Sequence, residues 1–72
     1  MNVKIYATIS GHVAYYSIRV VENGWPKMGI DRRADNIDDA REIAKEIAEK
    51  HGIDKIVEPR RTIESILEEK FS

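Results

Sequence analysis

The residues best suited to chemistry in this chain are cations and aromatics spaced two apart. Lys4 and Tyr6 stand in one alternating run, Tyr15 and Arg19 in a second, and Trp25 and Lys27 in a third. Thr8, Ser17 and Val21 complete the same alternation. Such side chains grip a phosphate backbone: Lys and Arg supply the salt-dependent attraction, and aromatic rings pack on sugars and bases. Arg32 and Arg33 follow directly and extend the set. The candidate contact residues are therefore Lys4, Tyr6, Tyr15, Arg19, Trp25, Lys27, Arg32 and Arg33.

Catalytic chemistry is not indicated. Ser10, Ser17 and Ser65 have no His and carboxylate set in view, so an activated nucleophile is not supported. His12 and His51 lie far apart, and with no Cys in the chain disulfides and thiolate metal sites are excluded. No metal or cofactor is expected, and the chain reads as a non-enzyme. Arg60-Arg61 reads as a solvated pair, His12 as a turn residue, and His51 as a partner for a helix C-terminus.

The elements that position these residues follow from periodicity. Residues 2–10 alternate strictly, with Val3, Ile5, Ala7 and Ile9 on one side, which marks a half-buried strand. Gly11-His12 supplies a two-residue turn. The pairs Ile9–Ala14, Ala7–Tyr16, Ile5–Ile18 and Val3–Val20 then bring every apolar residue to one face, and a slip of one residue would scatter them. At Glu22-Asn23-Gly24 a plain Asn-Gly turn would send Met28 and Ile30 to the wrong face. A three-residue loop with a bulge at Gly24 restores them, pairing Ile18 with Met28 and Tyr16 with Ile30. Pro26 makes that third strand an edge. On this register Lys4, Tyr6, Tyr15, Arg19, Trp25 and Lys27 share the open face.

Asn36 is a helix N-cap, with Asp38 and Asp39 in the first turn. Ile37, Ala40, Ile43, Ala44, Ile47 and Ala48 form an apolar stripe, and Gly52 followed by Ile53 ends the helix. Residues 54–57 read as a short fourth strand. Pro59 opens a second helix that carries Ile63, Ile66, Leu67 and Phe71 on one side. The fold class is α+β, in the order β-β-β-α-β-α. It is a three-stranded antiparallel meander with a possible fourth strand in sheet order 3-2-1-4, and the helices lie on one face. With 72 residues the chain holds one domain, 1–72.

Composition narrows the partners. Residues 1–34 carry five cations and two anions, whereas residues 35–72 carry seven cations and eleven anions. A nucleic-acid contact is thus confined to the first half. The acids Asp38, Asp39, Glu42, Glu46 and Glu49 make the first helix unsuitable for phosphate. No apolar run approaches the roughly 20 residues that span a bilayer, and no signal peptide is visible. No membrane partner and a cytoplasmic location are expected. Eleven Ile against one Leu, no Gln and 35% charged residues resemble thermophile usage.

The element order resembles ribonuclease H-like folds, whose nucleases hold two metal ions with carboxylates, one of them on the first strand. Here Asn2, Lys4, Tyr6 and Thr8 fill the outward first-strand positions, so nuclease activity is rejected. Without catalysis, the order resembles the small HicB-like antitoxin domains. Ala14-Tyr15-Tyr16-Ser17-Ile18 is similar to their second strand, and Asp35-Asn36-Ile37-Asp38-Asp39-Ala40 to the opening of their helix. The likeness spans residues 13–48, although Glu-Asn-Gly replaces their Pro-and-Gly turn. It implies an antitoxin-like, protein-binding module. By architecture alone, the meander backed by a helix resembles three-stranded DNA readers, the integrase arm-binding and AP2-like domains. That likeness implies double-stranded DNA against the sheet, with Lys4, Arg19, Lys27 and Trp25 reaching it.

Three readings of the aromatic face stay open. It contacts nucleic acid, it meets a protein partner or a second copy as a homodimer, or the second helix folds over it.

Overall fold

A computed structural model describes residues 1–71, apart from the side chains of Met28, Lys70 and Phe71. The elements are β1 (Asn2–Ser10), β2 (Val13–Glu22), β3 (Trp25–Ala34), α1 (Ile37–His51), β4 (Ile56–Val57) and α2 (Ile63–Phe71). The sheet order is β3-β2-β1-β4, with β4 parallel to β1. The protein is an α+β domain with α1 and α2 on the same side of the sheet.

The first hairpin has the expected register. Val3 pairs with Val20, Ile5 with Ile18, Ala7 with Tyr16 and Ile9 with Ala14. Val3, Ile5, Tyr16, Ile18 and Val20 are fully buried beneath α1, which contributes Ala40, Ala44, Ile47 and Ala48. Its alanines leave room for close approach of helix to sheet. Burying aliphatic side chains of this size stabilises by about 1.5–3 kcal/mol each. Both ends of α1 are capped. Asn36 Oδ1 accepts from the Asp39 N–H at 2.8 Å, and Gly52 takes the left-handed conformation at φ 64°.

The second hairpin differs from the sequence expectation. Glu22 pairs with Trp25 and Val21 with Pro26, so Asn23-Gly24 is a plain two-residue turn. Asn23 and Gly24 both have positive φ, 53° and 83°, as a type I′ turn requires. The irregularity lies farther along. Pairing resumes at Arg19 with Asp31, so Lys27–Ile30 bulge out opposite Val20 alone. Gly29 sits in that bulge at φ 90°. Ile18 then pairs with Arg32 and Tyr16 with Ala34, not with Met28 and Ile30. Ile30 still packs on the core from within the bulge, while the Met28 side chain lies outside the described residues. The bulge takes the role expected of the turn: Gly24 completes a regular two-residue turn, and Gly29 frees the backbone to kink inside the strand.

The second helix also begins later than expected. It starts at Ile63, and Thr62 Oγ1 accepts from the Ser65 N–H at 3.1 Å. Thr62 therefore acts as the cap, and Pro59 belongs to the preceding loop. Ile63 is buried and Leu67 packs on the core; the side chain of Phe71 lies outside the described residues.

One side chain joins these layers. The Tyr16 hydroxyl accepts from the Ile63 N–H at 2.7 Å and donates to Glu64 Oε2 at 2.6 Å. Glu64 Oε1 accepts in turn from the Ile37 N–H at 3.4 Å. Burial, followed by the hydrogen bond to Glu64, pushes the Tyr16 phenol up to about 12. The Tyr16 hydroxyl holds the Glu64 carboxyl below its ordinary value.

Tyr16→Phe is expected to destabilise by about 1–3 kcal/mol, because the Ile63 N–H and the Glu64 carboxylate lose a buried partner. The sign of the pH effect follows from the raised phenol. Its contribution is complete below the unfolded value near 10 and is lost as pH rises through about 12. Glu64 acts in the opposite sense, its contribution being lost as pH falls below the ordinary carboxylate range. Urea melts of both proteins from pH 3 to 12 check this: their difference in stability should be largest near neutrality and shrink at both extremes.

Candidate functional site

The face turned away from the helices is built by alternate residues of three strands. β1 contributes Lys4, Tyr6 and Thr8; β2 contributes Tyr15, Ser17, Arg19 and Val21. Beyond the bulge, β3 adds Asp31 beside Arg19 and Arg33 beside Ser17. Neither helix covers this face. The second helix is held to the opposite side by Tyr16, so the reading in which it buries Tyr6 and Tyr15 is excluded.

Each cation on the face is held by a neighbour. The Lys4 ammonium lies 5.0 Å from the centre of the Tyr6 ring, and the Arg33 guanidinium 4.5 Å from that of Tyr15. These are cation–π distances, in which the ring face attracts the charge. Arg19 Nη2 lies 3.5 Å from Asp31 Oδ2, with both side chains about half exposed. Arg19 is the least satisfied of the three. Its Nε is buried with no hydrogen-bond partner among the described residues. The face thus holds three cations against one anion.

Trp25 and Lys27 are not part of this arrangement. Trp25 pairs with Glu22, whose side chain follows the Val20 face of the strand. The Trp25 side chain is 77% exposed at the hairpin tip. Lys27 Nζ lies 3.6 Å from Glu22 Oε2, and it approaches Met1 Sδ at 4.0 Å. The register expected from a bulged turn would have placed both beside Arg19. The plain turn moves Trp25 to the helix side of the sheet, whereas Lys27 stands in the bulge, where it borders a groove with Arg19 and Asp31 while its ammonium reaches to Glu22.

Arg32 and Arg33 separate by the same alternation. Arg33 joins the open face. Arg32 lies on the helix side at the β3 edge, where it borders a groove of about 670 Å³ with Glu46, Glu49 and the end of α1. Asp31, Glu46 and Glu49 face Arg32 and Lys50 there, so the groove presents no excess of positive charge to a phosphate. Asp31 is the functional-face residue that the sequence pattern did not reveal. Only the correct β2–β3 register brings it opposite Arg19.

Among the described residues no group of three or more His, Asp or Glu side chains could hold a metal ion. No helix among them is long and apolar enough to cross a membrane. Comparison with protein-family models, curated proteins and solved structures gave no match.

Gly29 decides which β3 residues reach the face. No heavy atom lies within 4 Å of a Cβ added there, so Gly29→Ala meets no clash and carries only the strain of its positive φ. The expected cost is about 1–2 kcal/mol. Thermal or urea unfolding measures it, and a neutral result would mean that the bulge does not hold this backbone in solution.

Proposed function

We propose that this domain is a small non-catalytic binding module that contacts the nucleic-acid phosphate backbone through its open sheet face. The observation that carries the reading is a cluster of three cations over three strands: Arg19 lies directly across from Lys4, Arg33 stands one rung along beside Ser17, and Tyr6 and Tyr15 flank them. Strands in this order place their cations about 5 Å apart per strand, a spacing that can follow neighbouring phosphates. The rings of Tyr6 and Tyr15 fix the directions of Lys4 and Arg33, which lowers the ordering cost on binding. The Arg19 guanidinium is about half exposed and holds Asp31 only at 3.5 Å, so its outer nitrogens can turn to a phosphate oxygen. Double-stranded DNA is the partner we assign to this face, since β-sheet readers lay strands in its major or minor groove.

The opposite side of the molecule supports the assignment by contrast. The exposed surface of α1 carries Asp38, Asp39, Glu42, Glu46 and Glu49 against Arg41, Lys45 and Lys50. A polyanion approaching this domain is steered away from the helices and toward the sheet. The antitoxin-like alternative, a module that binds a protein partner, has a separate support in the open edge of β1.

Fluorescence anisotropy with a labelled duplex at low and moderate salt tests the reading. Binding is expected to fall steeply with salt. Lys4→Ala, Arg19→Ala and Arg33→Ala should each weaken it and lower the salt slope by about 0.9 for each phosphate that is no longer neutralised. Trp25→Ala and Lys27→Ala should leave it unchanged. Absence of binding at low salt overturns the proposal.

A further inference from the structure

The two edges of the sheet are built differently. β3 is blunted: Pro26 offers no N–H, Lys27–Ile30 bulge outward, and Asp31 and Arg33 place charges at the strand end. These are the devices by which natural sheets prevent unwanted strand pairing. β1 has none of them. Its outer side is covered only where β4 pairs, at Val3 and Lys4. From Tyr6 to Ser10 no strand among the described residues lies beside it. That stretch, Tyr-Ala-Thr-Ile-Ser, contains no charge, proline or bulge.

The direction of the free backbone groups can be read from one hydrogen bond. The Val3 N–H donates to the Lys55 carbonyl at 2.9 Å. Odd-numbered residues of β1 therefore turn their backbone groups outward, and even-numbered ones bond to β2. Ala7 and Ile9 are left with outward N–H and C=O groups. Ile9 is also 40% exposed and lies outside the apolar core.

We infer that this edge pairs antiparallel with the same edge of a second copy, about a two-fold axis through Thr8. In that register Ala7 faces Ile9 of the second copy, and Ile9 faces Ala7, so the outward groups of each copy meet their complements. Tyr6 falls opposite Ser10, and Thr8 opposite its own counterpart. No other centring uses both free residues of each copy without running into β4. A register centred on Ala7 would set Ser10 of the second copy against Lys4, which is already paired with Val57. The uncharged stretch lets two copies approach without repulsion, and the two exposed Ile9 side chains gain apolar neighbours. Ile9, Ser10 and the turn of the second copy enter a groove of about 530 Å³ lined by Ile5, Tyr6 and Ala7 on one side and Pro59–Arg61 on the other. Gly11 presents no side chain there.

The result is one continuous sheet with both open faces on the same side, which doubles the cationic cluster. The pairing itself holds whatever that face binds, so it is tested without nucleic acid. Sedimentation of the chain alone should show a mass that rises from 8.3 kDa toward twice that value with concentration. Ile9→Pro removes an outward N–H while leaving the β1–β2 ladder intact, and it should remain monomeric with an unchanged circular dichroism spectrum. A cysteine cross-link gives a second readout that does not depend on that variant folding. Thr8 and its counterpart form a non-hydrogen-bonded pair with Cα atoms about 4.5 Å apart, within the roughly 4.4–6.8 Å range of disulfides. The native chain has no Cys. Thr8→Cys should therefore oxidise to a linked dimer at least about tenfold faster than the exposed control Glu49→Cys. A monomer up to ~1 mM, or equal cross-linking of the two cysteine variants, overturns the inference.

Discussion

The hydroxyl of Tyr16 is the contact on which the arrangement of this domain depends. It is a polar atom on a fully buried core residue, and it reaches both the first turn of α2 and, through Glu64, the first turn of α1. A phenol is suited to this place because its ring fills core volume while its oxygen both donates and accepts. Without it, α2 is a short helix of nine residues, below the length at which a helix holds itself in water. Its apolar residues Ile63 and Leu67 pack on the core beneath α1. The hydroxyl fixes the first turn of α2 on that same side. Tyr6, Tyr15 and Arg19, half-buried on the other side, are left uncovered by α2 in this arrangement.

The second constraint is the bulge around Gly29. A two-residue Asn-Gly turn fits the right-handed twist of the strands, but it sets a parity that does not suit the rest of β3. Four residues opposite one reverse that parity. Before the bulge Trp25 is on the helix side and Pro26 on the open side; after it, Asp31 and Arg33 are open. The same kink disrupts the outer edge of β3 and leaves β1 as the sheet's one smooth free edge among the described residues. Face composition and edge character therefore share a single cause.

The sequence made some of this legible and not the rest, for definite physical reasons. The β1–β2 register could be read because strict alternation and a short turn allow only one alignment that gathers Val3, Ile5, Ile18 and Val20. The caps of α1 could be read because Asn36 and Gly52 have local roles that need no tertiary partner. The β2–β3 register could not, because two different irregularities both return Ile30 to the core. Gly29 was the available signal: an isolated glycine inside a strand marks a bulge. A bulge placed at Gly24 instead carries Trp25 and Lys27 onto the wrong face and hides Asp31. The start of α2 is ambiguous for a similar reason. Pro59 suits a first helical turn, yet Thr62 followed by Ser65 offers an actual hydrogen bond. The Tyr16 clamp left no periodic trace, since its partner lies 48 residues away.

Asp31 bears directly on how the face can work. An acid among three cations looks like an obstacle to phosphate, but its pair with Arg19 spans 3.5 Å between half-exposed groups. Exposed pairs of this kind contribute about 0–1 kcal/mol, so exchanging Asp31 for a phosphate oxygen costs little. The carboxylate holds the guanidinium extended across the strands in the meantime, much as Tyr15 holds Arg33. What limits a single copy is the number of cations. Three partly neutralised charges release few counterions, so affinity at physiological salt would be small. On the proposed reading, a continuous sheet through β1 changes that without any new side chain, because two cation clusters on one rigid surface would bind a single strand of phosphates as one ligand. Under the two proposals together, the unprotected edge and the modest charge of the face are two aspects of one arrangement.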